Sequence, residues 1–126
     1  MDKGRIYQFV RYCCSFNGIR EGSEEHKRIV DTYNRIRPLP AGYEVKYTDA
    51  WCAVFVSFCF RTFFPYWIFP YECSCERMLK AITVLGRHRM HARTHRKGYR
   101  MDYEPVPGDV VFYKFTELGA PTHMGI

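Results

Sequence analysis

What this 126-residue chain lacks narrows its class before what it contains. It has no long apolar run. The longest extends from Trp51 to Phe60, broken only by Ser57 and ended by Arg61, whereas crossing a bilayer takes roughly 20 such residues. The first residues, MDKGRIYQFVRYCC, scatter charges where a signal peptide would carry an apolar stretch, so neither an export signal nor a membrane anchor is expected. No internal repeat or low-complexity tract appears, which sets aside collagen-like and disordered chains. The cysteines offer no CxxC spacing: Cys13 and Cys14 are adjacent, Cys73 and Cys75 are spaced CxC, and Cys52 and Cys59 stand apart. A zinc ribbon or a thioredoxin motif is therefore not indicated. With no export signal, mostly free and mostly buried thiols in a reducing compartment are expected, not a disulfide framework.

Enough is present to fold. Hydrophobic residues make up 47% of the chain and aromatic residues 17%, and the length fits one domain over residues 1–126. The net charge is +6, and it is local. Residues 87–100 (RHRMHARTHRKGYR) hold six of the 19 Lys and Arg and no acid, leaving thirteen basic and thirteen acidic residues elsewhere. Such a strip suits a polyanion, a wall polymer or a nucleic acid, and it equally suits a solvated surface loop.

Periodicity places four helices before two strands. Residues 3–16 set Ile6, Phe9, Val10 and Cys13 at helical spacing, with Asn17 and Gly18 as a stop. Residues 23–37 start with Ser23 as N-cap and two Glu in the first turn, and carry Ile29, Val30, Tyr33 and Ile36 as a stripe. Pro38, Pro40 and Gly42 force a loop. Asp49 is the expected N-cap of a third helix, AWCAVFVSFCFR, which is apolar almost all round and so central and buried. Residues 63–71 (FFPYWIFPY) read as an irregular hydrophobic loop packed on the core, because Pro65 and Pro70 break a helix. Ser74 to Leu85 forms a fourth helix with Met78, Leu79, Ile82 and Leu85 inward and Gly86 at its end. After the basic strip the period changes. Val106-Pro107-Gly108-Asp109 is a turn, and Val110–Phe115 and Thr122–Ile126 are strands. Helices first and strands last give an α+β class.

Cys52 stands out among the thiols. At the third position of a helix capped by Asp49, it meets backbone N–H groups and a helix dipole, a setting that favours the nucleophilic thiolate. A cysteine hydrolase also needs a base within hydrogen-bond reach. His123, on the last strand, is the candidate. Taken alone, Cys52 reads equally as core packing and His123 as a surface residue.

Their local sequences add to this. Asp49-Ala50-Trp51-Cys52-Ala53-Val54-Phe55-Val56-Ser57-Phe58 resembles the nucleophile helix of the CHAP and NlpC/P60 group of papain-like cysteine peptidases and amidases. Pro107-Gly108-Asp109-Val110-Val111-Phe112-Tyr113 is similar to that group's Pro-Gly-Asp strand, and Thr122-His123-Met124-Gly125-Ile126 to its catalytic histidine strand. Gly18-Ile19-Arg20-Glu21-Gly22-Ser23 resembles the loop after the first helix in the CHAP-like branch. The four blocks run in the same order over nearly the whole chain.

The resemblance implies a papain-like α+β fold, with the nucleophile helix packed on an antiparallel sheet. It implies peptidoglycan as substrate, cut either between sugar and peptide or within the stem peptide, and it implies no cofactor. Cys52 would be the nucleophile and His123 the base, with Asp49 or Thr48 orienting substrate or assisting the oxyanion site; the plainer role for both is helix capping. In the family a further polar residue, beyond the histidine strand, orients the imidazole. The chain stops three residues after His123, so a truncated C-terminus is expected, with its last strands missing. Such an enzyme would meet the wall after export, or on release at lysis.

His88, His91 and His95 share a face only if the strip is helical; the neighbouring Arg and Lys repel a cation, so metal is not expected there. Two other classes of function stay open: a wall-binding module of the same fold without turnover, and a basic nucleic-acid partner using the strip with Tyr99 and Tyr103 for stacking.

Overall fold

A computed structural model describes residues 2–64, 69–86, 104–114 and 119–126. The class is α+β, mostly helical with one small antiparallel sheet. α1 spans Lys3–Cys14, and the Asp2 carboxylate accepts the Arg5 N–H at 2.8 Å as its cap. It ends two residues sooner than its apolar spacing suggests. α2 spans Glu24–Arg35, with the Ser23 hydroxyl accepting the His26 N–H at 3.2 Å. Its buried residues His26, Ile29, Val30 and Tyr33 recur at helical spacing. Ile36 already has extended backbone, so the helix stops short of Arg37, consistent with the restriction Pro38 places on the residue before it.

The loop from 43 to 51 is held from two sides. Asn34 brackets Val45, donating from Nδ2 to its carbonyl and accepting its N–H, both at 2.9 Å. The Asp49 carboxylate accepts the Tyr43 hydroxyl at 2.6 Å and the Lys46 N–H at 2.8 Å. α3 follows as Cys52–Phe63 and α4 as Cys75–Val84. α3 therefore runs into the stretch expected to be a loop. Phe64 and Tyr71 beyond it are buried in the core, as a hydrophobic connection would be.

Ser74 caps α4 by accepting the Arg77 N–H at 3.3 Å. Cys75, Met78 and Ile82 are buried on its inner face, but Leu85 is 55% exposed, because the helix ends at Val84 and Gly86 turns the chain at φ +69°. β1 (Val111–Tyr113) pairs antiparallel with β2 (His123–Gly125), with Phe112 opposite Met124 and Tyr113 opposite His123. Both strands are shorter than their apolar runs.

α3 packs against α1, α2, α4 and β2. It separates two clusters. One holds Phe9, Ile29, Val30, Tyr33, Val54, Phe58, Cys59, Phe64 and Tyr71. The other holds Ala53, Val56, Cys75, Met78, Ile82 and Met124. The turn into β1 is fitted against α1: Gly108 has φ +94°, and a Cβ there would lie 3.1 Å from Ile6 Cγ2, so both conformation and space call for glycine. No helix among the described residues is long and apolar enough to cross a membrane.

Candidate functional site

The site is built around the start of α3. Asp49 is not its N-cap. That position belongs to Trp51, whose side chain makes no capping bond. Asp49 instead closes the preceding turn through Tyr43 and Lys46. Those two hydrogen bonds, the Tyr43 hydroxyl first, hold its carboxyl below its ordinary range. Thr48 stands exposed on the same turn. Cys52 is consequently the first helical residue, not the third. The first turn closes with the Phe55 N–H donating to the Trp51 carbonyl at 2.8 Å, so the N–H groups of Cys52 and its next neighbours have no partner within the helix.

Cys52 is half-buried. Its Sγ lies 3.4 Å from Cys75 Sγ, at the start of α4. It also lies 4.0 Å from the carbonyl oxygen of Thr122, the residue before His123. The fold therefore brings the head of α3 and the strand that carries His123 together, across 70 residues of sequence. Cys75 is buried at 8% exposure. Burial first, then the hydrogen bond and the negative charge of Cys52, push its thiol from an ordinary 9.0 up to about 12.

The two proposed catalytic side chains are not joined. His123 is exposed, its ring centroid 5.3 Å from that of its cross-strand neighbour Tyr113. Among the described residues no hydrogen bond links it to Cys52. The strand alternates as strands do: Met124 turns inward to the second cluster, at 2% exposure, so the residue before it points away.

The Gly18–Ser23 loop reaches the same region through a residue the sequence did not single out. Its Gly22 N–H donates to Nδ1 of His26 at 3.0 Å, and the His26 ring stands edge-on to Trp51 with centroids 4.6 Å apart. His26 is fully buried, and its Nε2 has no hydrogen-bond partner among the described residues. The apolar stripe of α2 places His26 one turn before Ile29 and Val30, which was the available signal. Cys75 had no such signal, because nothing in a CxC spacing points to a thiol 23 residues earlier.

The basic strip Arg87–Arg100, with His88, His91 and His95, and both Tyr99 and Tyr103 lie outside the described residues. Among the described residues no group of three or more His, Cys, Asp or Glu is placed to hold a metal ion. No protein-family model, curated protein or solved structure matches the chain. What stands is an α+β domain with a half-buried thiol at the head of its central helix, beside a short hairpin that carries a histidine.

Proposed function

We propose that the chain is a papain-like cysteine hydrolase domain of the CHAP and NlpC/P60 kind, acting on amide bonds of peptidoglycan, with muramoyl-alanine amidase activity ahead of stem-peptide cleavage. The observation that carries this reading is the approach of the Thr122 carbonyl to Cys52 Sγ at 4.0 Å. It sets the head of α3 against the histidine strand, as a Cys–His hydrolase requires. The Gly18–Ser23 loop, through His26 and Trp51, and the Pro107–Asp109 turn, through β1, border the same region.

In the mechanism Cys52 Sγ attacks the amide carbonyl carbon. The oxyanion rests on the N–H groups that open α3. His123 takes the thiol proton and returns it to the leaving amine, and water then hydrolyses the thioester. The imidazole has to leave its place against Tyr113 and meet Cys52 for this to proceed; catalytic hydrogen bonds commonly tighten only with substrate bound. Asp49, occupied by Tyr43 and Lys46, acts by shaping the loop into α3, and Thr48 borders the same entrance.

Release of fragments from purified peptidoglycan by the full chain tests the proposal. Turnover is expected in reducing buffer, abolished by Cys52→Ala and lowered about 10²- to 10⁴-fold by His123→Ala. The separation of His123 from Cys52 favours a second reading, a wall-binding module of the same fold without turnover. Retention on walls with no fragments released would select it. Release of fragments by Cys52→Ala at the wild-type rate would end the hydrolase proposal.

A further inference from the structure

Two helices begin at the same place with a thiol each. Cys52 opens α3, Cys75 opens α4, and their sulfurs are 3.4 Å apart. A disulfide bond is about 2.05 Å long, and rotation of the two side chains has only a little over an ångström to close. The two thiols differ in access. Cys52 is half-buried, whereas Cys75 is 8% exposed and packed among Ala53, Val56, Met78, Ile82 and Met124. A reagent from solvent therefore meets Cys52 first.

We propose that Cys52 and Cys75 are a reactive dithiol: Cys52 takes up a low-molecular-weight disulfide, and Cys75 resolves the adduct into an intramolecular disulfide. In the first step Cys52, having given up its proton, attacks one sulfur of R–S–S–R. The Cys52–S–R bond forms as the S–S bond breaks, and the departing R–S⁻ takes up the proton. In the second step Cys75 loses its proton and attacks Cys52 Sγ. The second R–S⁻ leaves and is protonated in turn. Two protein thiols are oxidised by two electrons, and one small disulfide is reduced to two thiols.

The order of events follows from the surroundings of Cys75. Burial holds it protonated, and so do the hydrogen bond and charge of Cys52. Capping Cys52 removes that negative charge, and with it the strong acceptor that holds the Cys75 proton, so Cys75 becomes easier to ionise when it is needed. Closure would occupy the proposed nucleophile and switch turnover off until a reductant reopens it. That consequence rests on the hydrolase proposal; the dithiol does not.

The test incubates the full folded chain with oxidised glutathione, quenches in acid, blocks free thiols and maps peptides by mass. The expected main product joins the Cys52 peptide to the Cys75 peptide and is released by dithiothreitol. Cys75→Ser and Cys75→Ala are each expected to stop at a glutathione adduct on Cys52. A wild-type adduct on Cys52 that persists while Cys75 remains free to alkylate overturns the proposal, as does no reaction at Cys52. The two proposals fail separately. Closure without any wall cleavage by the reduced protein sinks the hydrolase alone; cleavage that oxidised glutathione leaves untouched, with no crosslink, sinks the dithiol alone.

Discussion

The two faces of α3 do different work. Toward α1 and α2 the helix meets ring on ring: Phe9 lies 4.5 Å from Phe60, 5.4 Å from Phe63 and 5.2 Å from Phe64, measured between ring centroids. Tyr33 and Tyr71 stack nearly parallel beside them, at 4.5 Å. Toward α4 and the hairpin the packing is lighter, made of Ala53, Val56, Met78, Ile82 and Met124 around Cys75. The cysteines on α3 repeat the contrast. Cys59 is fully buried against the first cluster, and hydrogen bonding with Cys13, then burial, push its thiol far up. Cys52 sits at the exposed end, beside the second cluster. One apolar helix thus anchors the domain with one face and, with its first turn, presents a thiol. What sets the two cysteines apart here is their place along the helix, not their residue type.

The sharpest way to break this comparison is to exchange the roles of the two thiols. Cys52→Ala should bring peptidoglycan turnover to background and leave the melting temperature close to wild type. Cys59→Ala should keep turnover and cost about 1–2 kcal/mol of stability. Equal loss of turnover in both variants would mean that neither position is special. Next in size is the packing itself. Phe9→Ala removes a ring that touches three others and should cost about 3–5 kcal/mol, against about 2–4 kcal/mol for Met124→Ala on the lighter face. Urea midpoints compare the two, and a larger loss at Met124 would invert the picture of which face anchors the fold.

A smaller effect is expected at Ser57, buried on α3. Its hydroxyl donates to the Glu72 carbonyl at 2.7 Å and accepts the Glu72 N–H at 3.0 Å, tying the entry of α4 to the central helix. Ser57→Ala leaves both backbone groups without that partner and should cost about 1–3 kcal/mol. Chemical denaturation reads it, and an unchanged midpoint would show that the bridge is replaceable.

The mildest prediction concerns alkaline pH and draws on both faces. Burial raises the hydroxyls of Tyr33 and Tyr71 above their ordinary 10.0, and it raises Cys75 to about 12. Each folded group holds its proton more tightly than the unfolded chain does. Stability is therefore full below about pH 9 and drains as pH climbs toward 12. Urea midpoints at pH 8 and pH 10 should fall in that order. A midpoint that rises with pH would contradict the burial of all three groups.

Much of the helical half was legible from residue patterns. Ser23 was recognisable as a cap because it precedes a helical stripe with two acids in its first turn, and it accepts the expected N–H; Ser74, read as the first residue of its helix, turns out to cap it in the same way. Asp49 also precedes an apolar helix, one with no acid in its first turn, and it does something else. The rule does not weigh Tyr43 and the Lys46 N–H, which compete for the carboxylate and win it at 2.6 and 2.8 Å. Leu85 fits the stripe of α4 but lies past its last turn, so periodicity put it inside and the helix end put it out. Candidate nucleophile and base were visible as sequence blocks; their separation was not, because it depends on which face of the last strand packs on α3, and that face carries Met124.

By itself, then, the sequence determined the class, the central apolar helix, the helices around it and the turn at Gly108 that leads into β1. These follow from local spacing, cap chemistry and glycine's backbone freedom, all of which act within a few residues. Tertiary structure alone decided which thiol faces Cys52, that His26 would be sealed against Trp51, and that Asp49 would serve the loop and not the helix. Each of those outcomes joins residues through space, or sets one hydrogen-bond partner against another. Contacts of that kind form only when packing brings the groups within a few ångströms, and no spacing along the chain records it.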